Sequence, residues 1–390
     1  MREAITITGL GVVSAAGCGV AASLGTLRAG FRPELGPCPV AGLPSATPMF
    51  AAAGVEAAAD RTFRLAMAAV REALDDAGLS SLRSGFRLGV CLGTTVACQL
   101  NDIAFYAEYR ATGNPSLDAV ARFASGSLSE RVARDVGAVG PTMTVVNACS
   151  SGTDAMGVAM TWLRAGACDA VIAGGADELS AIPASGFFAL GVTSPEPCRP
   201  FDRNRQGLNL GEGAGVVILE RRADAGRRGR SSCLVAAGFG AASDGYHLTA
   251  PHPEGLGLEQ AVRAALREAA IPPQEVDFVN AHGTATKEND RIEGNTLARV
   301  FGPGVRAVST KGYTGHTLGA AGGIEAVFTA LALREGWIPR SVGFAERDEA
   351  IAIAPLTVVT PVSRRYALST SLAFGGNNAA ILLAREGNAL

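Results

Sequence analysis

Ile5-Thr-Ile-Thr-Gly9-Leu-Gly11-Val-Val-Ser14 returns 229 residues later as Leu234-Val-Ala-Ala-Gly238-Phe-Gly240-Ala-Ala-Ser243. Both copies are apolar strand patterns ending in the same Gly-x-Gly-x-x-Ser turn, and a repeat of this kind means two related structural units in one chain. The segments after each copy keep step. The first copy is followed by an amphipathic helix near 60–77, a strand at 87–92, a polar and aromatic stretch at 101–109, the strand leading to Cys149, a helix to about 165, and strands at 169–174 and 214–220. The second is followed by a helix at 258–270, strands at 276–281 and 306–310, a helix near 320–334, and strands near 356–359, 367–370 and 379–384. Strands alternating with helices predict mainly parallel sheets with helices on their faces. Two such units related by approximate two-fold symmetry predict a layered α/β/α/β/α body, with halves at 1–233 and 234–390.

A chain of 390 residues, 48% hydrophobic and 18% charged, can bury a large core or two packed halves. Its net charge of −2 and lack of a long basic run argue against charge-driven binding to nucleic acid or to an anionic membrane. No apolar run approaches the ~18 residues of a membrane span, and Met1-Arg2-Glu3 leads into a strand rather than a signal sequence, so the cytoplasm is the expected compartment. The eight cysteines contain no CxxC pair, which predicts reduced thiols and no metal site. The glycine-rich turns lack the acid that a dinucleotide fingerprint carries about 20 residues on, and no phosphate-loop motif occurs. Two stretches, 31–59 and 187–207, read as irregular excursions, the first of them rich in Pro, Ala and Gly.

Chemistry concentrates at three strand ends. In Thr142-Met-Thr-Val-Val-Asn-Ala-Cys149-Ser-Ser-Gly-Thr-Asp-Ala-Met156 an apolar run stops at a thiol, and a helix pattern starts directly after it. The free N–H groups of that helix would favour a thiolate and could hold an oxyanion; taken alone, such a cysteine is a small buried hydrophobe. Only four histidines exist, and two stand in glycine-flanked turns that end strands: Val279-Asn-Ala-His282-Gly-Thr284-Ala-Thr286 and Lys311-Gly-Tyr-Thr-Gly315-His316. Open α/β sheets hold ligands at the carboxyl ends of their strands, so Cys149, His282, His316 and Lys311 are expected to face one crevice between the halves. His247 and His252 read as loop residues without a chemical partner.

With TGLGVVS, ACSSG, DAVIAGGADE, PFDRNRQGLNLGEGAG, SDGYHLTAPHP, NAHGTATKEND, STKGYTGHTLGAAGGIE and LAFGGNNAA in this order, the chain resembles an elongating β-ketoacyl-(acyl carrier protein) synthase of the thiolase superfamily along essentially its whole length. The resemblance implies a thiolase-like fold and a decarboxylative Claisen condensation of a Cys149-bound acyl chain with a malonyl thioester on carrier protein, in fatty acid or polyketide/polyene elongation. It implies His282 and His316 as the histidines of a Cys-His-His triad, Lys311 beside them, Phe374 with Gly375 and Gly376 as the gate and oxyanion segment, and Thr284 and Thr286 as holders of pantetheine. Glu325 and Asp290 match supporting acids and read equally as members of a structural ion-pair network. No metal or resident cofactor is implied, because phosphopantetheine arrives on the acyl carrier protein. Arg61, Arg64, Arg203 and Arg205 are candidates for a basic rim facing that partner. A homodimer, or a heterodimer with a chain-length-factor-like subunit, is implied, with 143–146 pairing across the two-fold axis. The alternatives are a non-elongating partner subunit and an acyltransferase using the same cysteine; the last cysteine being Cys233 disfavours a degradative thiolase, which needs a second cysteine near its C-terminus.

Overall fold

The computed structural model describes residues 3–36, 47–56, 60–95 and 102–386; Cys38, Cys98, Asn101 and part of the 31–59 excursion lie outside them. In the first half, β1 (Ile5–Ser14), β2 (Leu88–Gly93), β3 (Thr142–Val145), β4 (Ala170–Asp177) and β5 (Gly213–Arg221) lie side by side in the order β3-β2-β4-β5-β1. In the second, β6 (Leu234–Ser243), β7 (Val276–Asn280), β8 (Arg306–Val308), β9 (Tyr366–Ala373) and β10 (Asn377–Arg385) lie in the order β6-β10-β9-β7-β8. The second order is the first read backwards. The two repeat copies, β1 and β6, meet antiparallel through only Ile5↔Ala236 and Thr6↔Val235, which joins the arrays at the pseudo-two-fold axis.

Helices fill three layers. α1 (Arg61–Ala77) and α2 (Leu128–Val136) cover the outer face of the first array, where Leu65, Val70, Leu74 and Val132 pack on Leu88, Val90 and Ile172. α3 (Ser151–Arg164) lies between the arrays; α4 (Leu256–Ala269) and α5 (Lys287–Phe301) cover the outer face of the second array. α6 (Ala321–Glu335) shares the middle layer, and every residue from Ala321 to Leu333 is buried. A helix with sheet on both sides needs no polar face, so α6 carries no apolar stripe and gains about 1.5–3 kcal/mol for each of Ile324, Phe328, Leu331 and Leu333. Its glycines set the closeness of approach, since a methyl group on Gly323 would sit 2.3 Å from the Gly215 carbonyl oxygen.

The α/β/α/β/α sandwich is as expected, but the sheets are mixed rather than mainly parallel. Only β2–β3, β2–β4, β7–β8 and β7–β9 pair in parallel; β5 runs antiparallel to β1 and β4, and β10 runs antiparallel to β6 and β9. β9 and β10 are joined by a tight turn and pair antiparallel, as a short return must; β4 and β5 also pair antiparallel although residues 178–212, with the helix Ala181–Ala189, lie between them. The strand expected at 356–359 does not form. Pro355 and Pro361 flank it, proline cannot donate to a ladder, and Val358 is exposed. Helices not read from the sequence include Val20–Ala29, Ile103–Thr112, Asp118–Ala124, α2, Ala181–Ala189, whose last turn overlaps the 187–207 region read as irregular, and α5 directly after the His282 turn.

Candidate active site

Three strand ends and one hairpin supply the site. Between β3 and α3 the chain turns sharply at Ala148, whose φ of +48° is unusual for a residue with a side chain. A clamp holds this elbow: Asp154, in the first turn of α3, accepts from Asn147 Nδ2 at 2.6 Å and from Ser150 Oγ at 2.7 Å. Cys149 between them is thereby presented to a pocket in which it is only 4% exposed. Its Sγ lies 3.0 Å from His316 Nε2 and receives a main-chain hydrogen bond from Phe374.

His282 follows β7. Its turn is held by Glu293 of α5, which accepts from the N–H groups of His282 at 2.8 Å and Gly283 at 2.7 Å. The two imidazoles meet edge to face, with centroids 5.1 Å apart and planes at 88°. Lys311 Nζ lies 3.2 Å from His282 Nδ1 and forms an ion pair with Glu325, both side chains being buried. An ammonium has only donors, so it places the His282 proton on Nε2, the nitrogen left for the pocket. Cys149, His282 and His316 therefore line one pocket, while Lys311 and Glu325 stand behind His282 rather than in it.

Electrostatics are set by exclusion of water. Burial, helped by the Lys311 charge, holds both histidines well below the usual imidazole value, so both rings are neutral. Burial likewise raises Glu325 to about 7, opposed by Lys311. For Cys149 the expected thiolate is not the resting state: burial pushes the thiol up to about 12, outweighing Lys311 and the Phe374 N–H. A neutral His316 stands at hydrogen-bond distance from that thiol.

The pocket has a volume of about 490 Å³, and Cys149, both histidines, Thr284, Thr286 and Phe374 line it. Thr284 and Thr286 hydroxyls are 2.9 Å apart on its wall. Phe374 stacks on Phe187 at 5.2 Å, and Phe187 stands edge-on to His316 at 6.4 Å. Gly375 and Gly376, at φ +86° and +79°, make the turn that lets the main chain come this close. That turn is tied to the 244–248 loop by Gly375 N–H to Leu248 O and by Asp244 N–H to Gly376 O, both at 2.7 Å. His247 and His252 only brace their own loop, each Nδ1 accepting main-chain N–H groups.

Other candidates fall away from the chemistry. Asp290 is buried and accepts from the main-chain N–H of Phe201 at 2.7 Å and of Ala285 at 3.1 Å, so it shapes the His282 turn from outside the pocket. Arg205 is 5% exposed, bound to the carboxylate of Asp348 and the carbonyls of Asp202 and Lys287, and cannot form a rim. Arg61 is likewise spent on a two-pronged ion pair with Glu212. Arg64 and Arg203 are exposed, the latter paired with Glu346 at 2.8 Å. Glu293 and Phe187 were not singled out by sequence. The spacing Asp290-x-x-Glu293 on one helix face is the signal that could have found Glu293; nothing local marks Phe187.

The N-terminal domain of β-ketoacyl synthases matches residues 46–225, and their C-terminal domain matches 234–345. The chain belongs to the β-ketoacyl synthase family. It is an enzyme of the acyltransferase class. The 3-oxoacyl-(acyl-carrier-protein) synthase 2 of Staphylococcus aureus is 34% identical over 337 residues, 83% of each chain. Among solved structures, the ishigamide ketosynthase/chain length factor superposes with a TM-score of 0.90 at 31% identity, over 99% of this chain and 100% of that one. A type II polyketide ketosynthase, AntDE, solved with its acyl-carrier protein AntF and bound to the hexaketide, superposes with a TM-score of 0.90 at 26% identity, over 99% of this chain and 100% of that one.

Proposed function

We propose that this synthase elongates an acyl chain by decarboxylative Claisen condensation, with Cys149, His282, His316 and Lys311 as its working groups. The observation that carries this reading is one thiol 3.0 Å from a neutral imidazole, with a second imidazole perpendicular to the first and an ammonium behind it. The Cys149 sulfur attacks the carbonyl of an acyl thioester, its proton passing to His316, and the oxyanion is held by the N–H groups of Cys149 and Phe374. The carrier thiol leaves and takes the proton. A malonyl thioester then enters, and its C–C bond to the carboxylate breaks, releasing CO2 and leaving an enolate. The neutral His282, with its proton on Nε2, suits that oxygen better than water does because the ring is already placed, and His316 adds a second donor once its own proton stands on Nε2. The enolate carbon attacks the acyl-cysteine carbonyl, forming the new C–C bond and breaking the C–S bond, and the expelled Cys149 thiolate takes up one proton from solvent to return to the thiol. Lys311 orients His282, Glu325 balances Lys311, and Asp290 supports the turn.

Thr284 and Thr286 hold the pantetheine arm, which arrives on an acyl carrier protein, so the enzyme needs no cofactor or metal of its own. Phe374, on its diglycine hinge, is the gate between resting and loaded states. The division at 1–233 and 234–390 follows the mirrored strand orders. Edge strand β3 pairs with a second subunit, either a copy of this chain or a chain-length-factor-like partner, and the cytoplasm is the working compartment. A non-elongating partner role is disfavoured by the complete Cys-His-His set. Intact-mass analysis after mixing with acyl-carrier protein should show one acyl adduct on the wild type and none on Cys149→Ala; an adduct that survives the substitution sinks the assignment. Release of CO2 from malonyl-carrier protein should collapse in His282→Ala and His316→Ala, and unchanged release would remove those roles.

A further inference from the structure

The 31–59 excursion has no function readable in its sequence, yet both of its described ends reach the back of the active site. Arg32 Nη2 donates to Cys198 O at 2.6 Å and its Nε to Gly312 O at 3.2 Å, and Cys198 Sγ lies 3.6 Å from Lys311 O. These carbonyls belong to the one-turn helix Lys311–Thr314 and to the segment packed behind it. Burial lowers the Arg32 pKa, as it does for a cation whose partners are neutral carbonyls rather than a carboxylate.

At the other end, Phe50 is fully buried and is the outer rung of a main-chain ladder. Its N–H donates to Leu210 O at 3.0 Å and its carbonyl accepts from Glu212 N–H at 3.1 Å; Gly211 N–H donates to His316 O at 3.0 Å, and His316 N–H donates to Asn209 O at 2.8 Å. The Phe50 ring closes the space over Gly315, where a methyl group would lie 2.7 Å from its Cδ2. It clusters with Cys198 and with Ala285, three residues beyond His282. The described parts of the excursion thus touch the turns of Lys311, His316 and His282, and neither Arg32 nor Phe50 lines the pocket.

We infer that Arg32 and Phe50 are positioning residues: Arg32 fixes the Lys311 turn, and Phe50 fixes the backbone that carries His316. The inference rests on the condensing reading above and deepens it. A displaced Lys311 no longer orients His282 for enolate formation, whereas acylation of Cys149 depends on His316 and the α3 elbow. Substituting Arg32 therefore separates the two half-reactions.

The test uses the full chain with acyl- and malonyl-carrier protein. Arg32→Ala should lower kcat for CO2 release about tenfold or more while KM stays within about twofold, as misplacement of a catalytic group does. Cys149 acylation should persist. Arg32→Lys, which keeps charge but loses the fork, should stay slow, and millimolar guanidinium should raise the Arg32→Ala rate. Unchanged CO2 release, or acylation and decarboxylation falling by one factor together with a lowered Tm, would overturn the proposal. Should Arg32→Ala not fold, Phe50→Leu keeps the apolar volume and is read by the acylation rate against Tm: slower acylation at unchanged Tm supports the proposal, and unchanged acylation overturns it. Absence of CO2 release in the wild type would instead overturn the condensing reading.

Discussion

Cys149, His282 and His316 owe their states to burial rather than to one another's charge. Unfolded histidines bind a proton near pH 6.5, and these two do not when folded, so their contribution to stability is whole above about 6.5 and is lost as pH falls below it, by up to about 1.4 kcal/mol per pH unit per histidine. Glu325, raised to about 7, works in the opposite direction, because the folded state keeps its proton over a range where the unfolded one loses it. The difference between wild type and a His282→Asn/His316→Asn double variant isolates the histidines. Urea midpoints between pH 5 and 7 should fall less steeply toward acid in the variant, and equal slopes would mean the rings are protonated in the fold. At this scale the sequence was informative: scarcity of histidine and the strand-end glycines picked out the two rings that meet beside Cys149. The resting charge of Cys149 was not legible, because a helix N-terminus is visible in sequence and the dryness of a pocket is not.

Elements hold these residues by close approach. α6 threads between two sheets only because small residues line it, and Gly323→Ala would push a methyl group to 2.3 Å from Gly215 O and 2.8 Å from Gly175 N. That overpacking should cost about 3 kcal/mol or more, measured as a shift in the urea midpoint, and a loss under 1 kcal/mol would mean the layers can part. The Asp154 clamp is the second element-scale device. Asp154→Ala frees Asn147 and Ser150 on either side of the nucleophile, and acylation of Cys149 should slow about tenfold, read by intact mass against time, with little change in CO2 release. Helix and strand positions near the repeat copies were legible from periodicity. α2 and α5 were not read as helices, although Ser127 and Glu130 form a full capping box at the start of α2, a signal that was present and unused.

Across the whole molecule, β3 lies at the end of its array with one edge unpaired among the described residues, and Met143 and Val146 are 45% and 65% exposed. A free, apolar edge invites a partner strand. Val146→Glu should therefore shift the mass measured by light scattering from dimer to monomer and reduce condensation with it; an unchanged dimer would place the interface elsewhere. The sequence by itself carried the repeat behind the two mirrored strand orders and the strand-end motifs of Cys149, His282, His316 and Lys311, because repeats and strand-end motifs are local patterns. Only the tertiary structure decided the mixed pairing of the sheets, the burial that keeps Cys149 protonated, the loss of Arg61 and Arg205 from any docking rim, and the contacts of Arg32 and Phe50 with the Lys311 and His316 turns. Each of these depends on which segments, hundreds of residues apart, exclude water from one another, and no local pattern in a single chain encodes that.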